Sequence, residues 1–327
     1  MDDYQGSFSM NPFKVLRPLR HAGWPGLAFW PSMLILSFTP SVTCLHAAEF
    51  DVLRQESLTV LYDSALRQAA QDTVDIYPSL RADLQHTFGL DLNLKPTVLL
   101  LKNRNQFQRM AESPLTVAFA VPSKNLVVID YSKMNINPFN LHVILKHELC
   151  HLLLHQHIPE ALLPRWLDEG ISQWASDGIG DIIMDQKRSL LNRAALKSSF
   201  IPLNALEEGF PRDKESLSLA YEESKSFVLY IISKYGKVGI LRVLKCMIEG
   251  ETADTAFMTA LSIPLLELEK KWHQSLKQKV TWFTYLSYYI YEILFAVAAF
   301  VTIYAFIRAI VRKRAYMRGS TDNGPYA

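Results

Sequence analysis

Apolar residues recur along the middle of the chain with the spacings of regular secondary structure. Alternation within residues 50–62 predicts an entry strand, and the spacing of apolar positions over 63–88 predicts a helix. Pro78 lies inside that helix, so we expect a kink or break there. Gly89, directly after it, is typical of a helix C-cap.

Three short apolar runs follow, and each predicts a strand. They cover residues 96–101, 118–120 and 125–130, with a helical piece at 106–110 and a turn at Pro122. Because these strands lead into a long helix, we expect a small sheet beside that helix. The predicted fold class is α+β, with a small, mostly antiparallel sheet and a helical subdomain after it.

The long helix itself is apolar nearly all round. Pro138 suits its first position, where a missing N–H costs nothing, and Asn137 can cap it. Residues 139–154 leave no broad polar face, which is typical of a helix buried in a domain core.

Helical spacing dominates the second half of the chain. Pro164 can open a helix that runs to Ala175, followed by a loop at 177–180 that lines a cleft. Further helices are predicted over 190–196, 221–235, 238–248, 252–261 and 264–279.

The C-terminal apolar segment is long enough to cross a membrane. Residues 280–307 contain one charged residue, Glu292, and about 20 helical residues suffice for a hydrocarbon core of about 30 Å. Aromatic residues cluster at its start and five basic residues follow it. By the positive-inside rule we expect a transmembrane helix at 281–311 and a basic cytoplasmic tail at 312–327. A buried core helix is the alternative, although it would be unusually long and lacks a polar face.

The N-terminal segment has the features of a secretory signal peptide. Basic residues precede an apolar stretch at 27–38, and small residues follow up to Ala48. Pro31 interrupts the apolar stretch, so an uncleaved signal-anchor is the alternative for residues 1–48. In both cases we expect the domain at 49–280 to lie outside the cytoplasm, at the cell membrane.

Charge and cysteine content exclude some classes of function. The chain carries 34 Lys and Arg against 32 Asp and Glu, so it has no overall basic footprint for nucleic acid. A disulfide between Cys150 and Cys246 is compatible with an oxidising compartment, but their spacing does not require one. No serine has the context of a Ser–His–Asp nucleophile.

The core helix carries the run His147-Glu148-Leu149-Cys150-His151. Histidines four residues apart lie on one helix face, so both imidazoles can reach one metal ion, whereas Cys150 is turned about 100° from His151. Glu148 is placed to contact a metal-bound water, whose pKa zinc lowers to about 7. This is the metalloprotease arrangement. The alternative is a chance match, with both histidines hydrogen-bonded to neighbours in the core.

Several residues compete to be the third ligand. His155 continues the histidine spacing, but its backbone lies about 12 Å from that of His147, too far to share one ion. Asp168 and Glu169 lie on the next predicted helix. They are about 100° apart round its axis, so only one of them should face the metal.

The motif together with Pro164-Arg-Trp-Leu-Asp-Glu-Gly170 resembles the peptidase MA-like domains of the gluzincin clan. The stretch 220–236 is similar to the helix that follows the site in that family. The resemblance implies one zinc ion held by His147, His151 and Glu169, with Glu148 as the general base.

The resemblance also bears on Tyr221 and Gln173. It makes Tyr221, at the start of its predicted helix, a candidate to stabilise the oxyanion, against the alternative of a tyrosine packed on the core. Gln173 stands where gluzincins often carry an acid.

The choice between Asp168 and Glu169 also depends on the residues themselves. The longer side chain of Glu169, and the room that Gly170 gives for approach to the first helix, favour Glu169 as ligand. We expect Glu169→Ala to weaken zinc binding, and Asp168→Ala and His155→Ala to leave it nearly intact.

The sequence therefore predicts a membrane-anchored zinc metallopeptidase that hydrolyses a peptide or protein substrate. Two alternatives stay open at this point. One is a catalytically silent module that keeps the fold and binds a partner protein. The other is a membrane-tethered scaffold whose zinc is structural.

Overall fold

A five-stranded sheet forms one layer of the fold. The computed structural model describes residues 50–111, 113–134, 136, 139–176, 190–279 and 289–319. Within them the strands are β1 (Asp51–Arg54), β2 (Thr59–Tyr62), β3 (Thr97–Leu101), β4 (Ala118–Val121) and β5 (Leu126–Asp130). Their order across the sheet is β1-β2-β3-β5-β4.

The sheet is mixed, so antiparallel pairing does not predominate as the sequence led us to expect. β1 pairs with β2 and β4 with β5 in antiparallel fashion, through short connections. β2 pairs with β3 and β3 with β5 in parallel. A parallel pair needs a crossover connection, and here a helix links β2 to β3.

Helices make up the rest of the fold and confirm the α+β class. They are α1 (Arg67–Phe88), α2 (Arg104–Gln108), α3 (Leu141–His157), α4 (Arg165–Ala175), α5 (Leu190–Lys197), α6 (Lys214–Ile248), α7 (Ala253–Leu261), α8 (Leu265–Lys279) and α9 (Ile290–Gly319).

Alternate residues of the central strands point to two apolar clusters. Val98 and Leu100 of β3 join the main core, which also holds the buried faces of α1, α3, α4 and α6. Leu99 and Leu101 of the same strand pack with Phe107 on the other face. The central strands are thus covered on both faces, which explains why they are apolar at nearly every position.

Two expectations about the first half of the domain need correction. The entry strand is two strands, because Gln55 N–H donates to the carbonyl of Leu58 at 2.8 Å and the chain turns between them. Helix α1 has no break at Pro78, and the expected kink there stays a prediction. Tyr77 and Leu80, on either side of that proline, are both buried in the core, and this packing outweighs the local cost of the proline.

Helix α3 begins later than predicted. Its first residue is Leu141, and the Asn140 side chain caps it by accepting a hydrogen bond from His142 N at 2.8 Å. Asn137 and Pro138, which the sequence favoured for this role, lie outside the described residues. The prediction that α3 is buried is confirmed, since every residue from Ile144 to Leu154 is buried.

The start of helix α6 differs from the prediction, because it begins at Lys214, seven residues before Tyr221. The predicted division into two helical segments is confirmed, since the backbone at Gly236 is non-helical (φ 71°, ψ 171°) and kinks the helix there. Its Glu222 accepts hydrogen bonds from Leu190 and Leu191 N–H and so caps α5.

Helix α9 has a segment that is long and apolar enough to cross a membrane. Ile290–Arg314 spans 25 residues, and within it an 18-residue window has a mean hydropathy of 2.3, with none of that window buried against the rest of the described chain. The expected signal peptide or signal-anchor at 1–48 and the loop at 177–180 lie outside the described residues. Cys150 and Cys246 are free thiols.

Candidate metal centre

Helix α3 brings its two motif histidines together inside the domain. Four residues place them one turn apart, and their rings meet at 84° with centroids 4.7 Å apart. The two Nε2 atoms are 3.1 Å from each other. Both side chains are buried, so their polar atoms must be satisfied within the protein.

Helix α4 adds a carboxylate to the two imidazoles. Oε2 of Glu169 lies 3.5 Å from Nε2 of His147 and 3.7 Å from Nε2 of His151. Three atoms that can each act as a metal ligand therefore lie within 4.8 Å of one another. Among the described residues, these three form the group that could hold a metal ion.

The dimensions of this triangle fit a zinc site. With bonds of about 2.0–2.1 Å and tetrahedral angles, zinc ligands lie about 3.4 Å from one another. The observed separations of 3.1, 3.5 and 3.7 Å scatter around that value. Oε2 of Glu169 is buried and has no hydrogen-bond partner, as expected for an atom that serves a cation.

Gly170 sets the position of the helix that carries Glu169. A Cβ at this residue would lie 2.5 Å from the carbonyl oxygen of Ser224 and 2.7 Å from Cγ2 of Val228, both on α6. The glycine thus allows α4 to approach α6, and the close approach to α3 predicted from the sequence is not its role.

The other oxygen of Glu169 is bound from two helices. Oε1 forms an ion pair with Arg165 at 2.7 Å and accepts a hydrogen bond from the Tyr221 hydroxyl at 3.3 Å. Burial alone would raise the pKa of Glu169, but the cation of Arg165 and the neighbouring His151 lower it to about 2. The carboxylate is therefore ionised and available to a metal at neutral pH.

Asp168 holds the second histidine, and the sequence analysis missed this role. Its Oδ1 lies 2.7 Å from Nδ1 of His151, and its Oδ2 lies 3.2 Å from Nε2 of His155. A carboxylate only accepts, so Nδ1 of His151 carries the proton and Nε2 presents its lone pair to the centre. A carboxylate behind a ligating histidine usually fixes the ring in this way.

The pKa values of Asp168 and His151 shift in opposite directions, because each residue stabilises the charged form of the other. Burial acts to raise the pKa of Asp168, but His151 and His155 outweigh it and hold that pKa far below its ordinary value. Burial acts to lower the pKa of His151, and the carboxylates of Asp168 and Glu169 raise it to about 9. A metal ion competes with that proton, because a ligating imidazole is neutral.

Glu148 lies next to His147 on α3, and the charges of His147, His151 and Glu169 all act on it. It is buried, and its Oε1 has no hydrogen-bond partner. Burial raises the pKa of this carboxyl above its ordinary value, against the opposing effect of His147 and His151. An unpartnered carboxyl of raised pKa next to a metal site is suited to moving a proton.

Three further residues that the sequence singled out have other contacts in the structure. Gln173, at the position where an acid was expected, donates to the carbonyl of Tyr221 at 3.2 Å. Cys150 is a buried free thiol whose pKa burial raises to about 12, and it does not belong to the group of three converging side chains. Tyr221 packs edge-on against Phe210 at 5.0 Å, with its hydroxyl directed at Glu169. Its predicted contact with an oxyanion stays a prediction.

Comparison with solved structures gives distant likenesses. The M1 zinc metallopeptidase from Deinococcus radiodurans is 17% identical, with a TM-score of 0.40 over 71% of this chain and 51% of that chain. Native leukotriene A4 hydrolase from Saccharomyces cerevisiae is 13% identical, with a TM-score of 0.40 over 71% and 38% of the two chains. Legionella pneumophila aminopeptidase A is 13% identical, with a TM-score of 0.37 over 69% and 27%. The chain thus spans about half the length of these proteins or less.

Comparison with protein families is more specific. A sequence search among curated proteins finds no match. The family model of the Peptidase MA superfamily matches residues 83–278, a span that contains α3, α4 and α6 with every residue of the centre described above. More than half of the chain is covered by that match, and the chain belongs to the Peptidase MA superfamily.

Proposed function

We propose that this protein is a zinc metallopeptidase anchored in a membrane by α9. The observation that carries the proposal is the convergence of His147, His151 and Glu169 on one point, with an unpartnered carboxyl of Glu148 beside it. Two imidazoles and one carboxylate are the ligand set of several catalytic zinc sites, in which a further position stays open for water or substrate.

The residues divide into those that hold the ion and those that move protons. His147, His151 and Glu169 would hold zinc, which when bound supplies Lewis-acid activation of water and of a peptide carbonyl. Glu148 accepts the proton of the attacking water at its unpartnered oxygen. It then gives this proton to the nitrogen of the departing amine, so the carboxyl ends in the state in which it began.

The environment of Glu148 supports this role. Its raised pKa brings the carboxyl closer to neutral pH, where accepting and returning a proton both cost little. The charges of Arg165 and Glu169 also act on the pKa of Glu148, so this residue lies within the same buried centre.

A substitution at Glu148 separates an enzyme from a silent module and from a structural zinc site. In the full-length protein, solubilised in detergent and loaded with zinc, we expect Glu148→Gln to keep the metal. We expect it to reduce hydrolysis of a peptide library by at least about a hundredfold, the usual effect of a positioned general base. Glu169→Ala is the matched variant, because it should lose the metal as well.

Two outcomes would overturn the proposal. Wild-type protein that binds zinc but cleaves no member of the library would favour the silent module or the scaffold. Near wild-type turnover in Glu148→Gln would remove this residue from the mechanism.

The membrane anchor and its orientation belong to the same proposal. The apolar length of Ile290–Arg314 supports a single crossing, and the basic residues at its end support a cytoplasmic C-terminus. The metal centre would then lie outside the cytoplasm and act on peptides at the membrane surface.

A further inference from the structure

Arg165 and Tyr221 occupy one oxygen of Glu169 and leave the other oxygen free. Arg165 reaches Oε1 at 2.7 Å and Tyr221 donates to the same atom at 3.3 Å. Oε2, which faces His147 and His151, has no partner. The two oxygens of this carboxylate are therefore in different environments.

The packing of α4 against α6 produces these two contacts with Oε1 of Glu169. Arg165 and Glu169 are four residues apart on α4, so their side chains share one face. Tyr221 comes from α6, which lies close to α4 because Gly170 has no side chain between them. The carboxylate is thus held from its own helix and from a neighbouring one, and its rotation about the terminal bond is opposed on both sides.

We propose that Arg165 is a positioning residue that reserves Oε1 of Glu169, so that the metal receives a single oxygen from this ligand. The inference rests on the proposed function, since it concerns the same ion. A carboxylate free to turn can offer both oxygens to a cation. A second oxygen would fill the position that a catalytic zinc site keeps open for water or substrate. Arg165 therefore keeps the site reactive without touching the metal.

Arginine suits this task better than lysine. Its planar guanidinium presents several donors in a fixed fork and stays charged at all accessible pH values, so it can hold Oε1 in a defined direction. Lysine offers a point charge on a flexible stem. The charge of either residue also offsets the buried carboxylate, which is only 1% exposed.

The exposure of Arg165 makes the inference testable. Its side chain is 45% exposed, so replacing it disturbs the core less than replacing a fully buried residue would. Arg165→Met keeps much of the length of the side chain and removes every donor. Arg165→Gln is a second variant of different polarity, and Arg165→Lys restores the charge. Lys271→Ala is the matched control, because Lys271 makes an ion pair with Glu267 at the same helical spacing, at 2.8 Å, on the surface.

The experiment replaces zinc by cobalt(II) in the full-length protein and records the visible absorption. Four-coordinate cobalt absorbs more strongly than five-coordinate cobalt, so the intensity reports how many oxygens Glu169 supplies. We expect Arg165→Met and Arg165→Gln to lose much of the intensity, Tyr221→Phe to lose less, and Arg165→Lys to recover most of it. Lys271→Ala should match the wild type. In the zinc forms we expect kcat of Arg165→Met to fall by about tenfold to a hundredfold, with KM nearly unchanged.

The possible failures are distinguishable. If the wild type binds neither cobalt nor zinc, the proposed function fails and this inference fails with it. If the wild type binds cobalt and both Arg165→Met and Arg165→Gln keep its spectrum, the metal centre stands but Arg165 does not set its coordination. Loss of intensity in Lys271→Ala of the same size would also overturn the inference, because the effect would then not be specific to this pair.

Discussion

Replacing Asp168 tests whether the carboxylate behind His151 matters for metal binding. The sequence led us to expect that Asp168→Ala would leave zinc binding nearly intact, since this residue seemed turned away from the metal. The structure reverses that expectation, because Asp168 is 2% exposed and lies 2.7 Å from Nδ1 of His151. Removing the carboxylate leaves His151 free to rotate and to adopt the wrong tautomer.

The size of the effect follows from the bond that is lost. A short hydrogen bond between an imidazole and an ionised carboxylate contributes about 1.5–3 kcal/mol. Ser172 Oγ lies 3.3 Å from the same Nδ1 and can replace part of it. We therefore expect Asp168→Ala to weaken zinc binding by about tenfold to a hundredfold, or about 1.4–2.7 kcal/mol. Asp168→Asn keeps an acceptor without the charge, so its loss should be smaller.

Competition with a chromophoric chelator at fixed pH measures the zinc affinity of each variant. His155→Ala is the control, since it removes the other partner of Asp168, at 3.2 Å, without touching His151. Circular dichroism establishes that each variant is folded. A folded Asp168→Ala protein with zinc affinity within about twofold of wild type would refute the argument, because an orienting carboxylate contributes at least about tenfold.

The remaining predictions concern packing, pH dependence and topology. Gly170→Ala should lower the free energy of unfolding by about 1–3 kcal/mol in urea denaturation, because the added Cβ would lie 2.5 Å from the Ser224 carbonyl oxygen. Gly209→Ala is the control, since a Cβ there meets nothing within 4 Å, and equal stability of the two variants would contradict the prediction. Burial raises the pKa of Glu223 from 4.5 to about 8, so the native state binds this proton more tightly than the unfolded chain does. The corresponding stability is present below about pH 4.5 and is lost as the pH rises towards about 8, and Glu223→Gln should remove that part of the slope in urea denaturation between pH 5 and 8. A reporter fused after Ala327 should be cytoplasmic and one fused after Lys277 exported, and the reverse pattern would contradict the proposed orientation.

Features that depend on near neighbours in the chain followed from the sequence alone. His147 and His151 share a face because helix geometry fixes residues four apart, and Glu148 is placed relative to them by the same geometry. The buried character of α3 followed from its lack of a polar face, and Gly89 as a C-cap from its tolerance of positive φ, here 68°. The apolar segment of α9 needed only length and composition. The ion pair between Arg165 and Glu169 was accessible by the same reasoning, since they are four residues apart on α4.

Features that depend on how separate elements meet required the tertiary structure. The sequence located the strand regions but merged β1 and β2 into one strand, and the helical connection between β2 and β3 decided that this pair is parallel. It placed Asp168 and Glu169 about 100° apart, but only the contact of α4 with α3 shows that one faces the metal centre and the other holds His151 from behind. Gly170 was identified as a point of close approach, and its partner proved to be α6. A periodic pattern defines which face of a helix is buried, whereas the neighbour that covers that face is chosen by the packing of the whole domain.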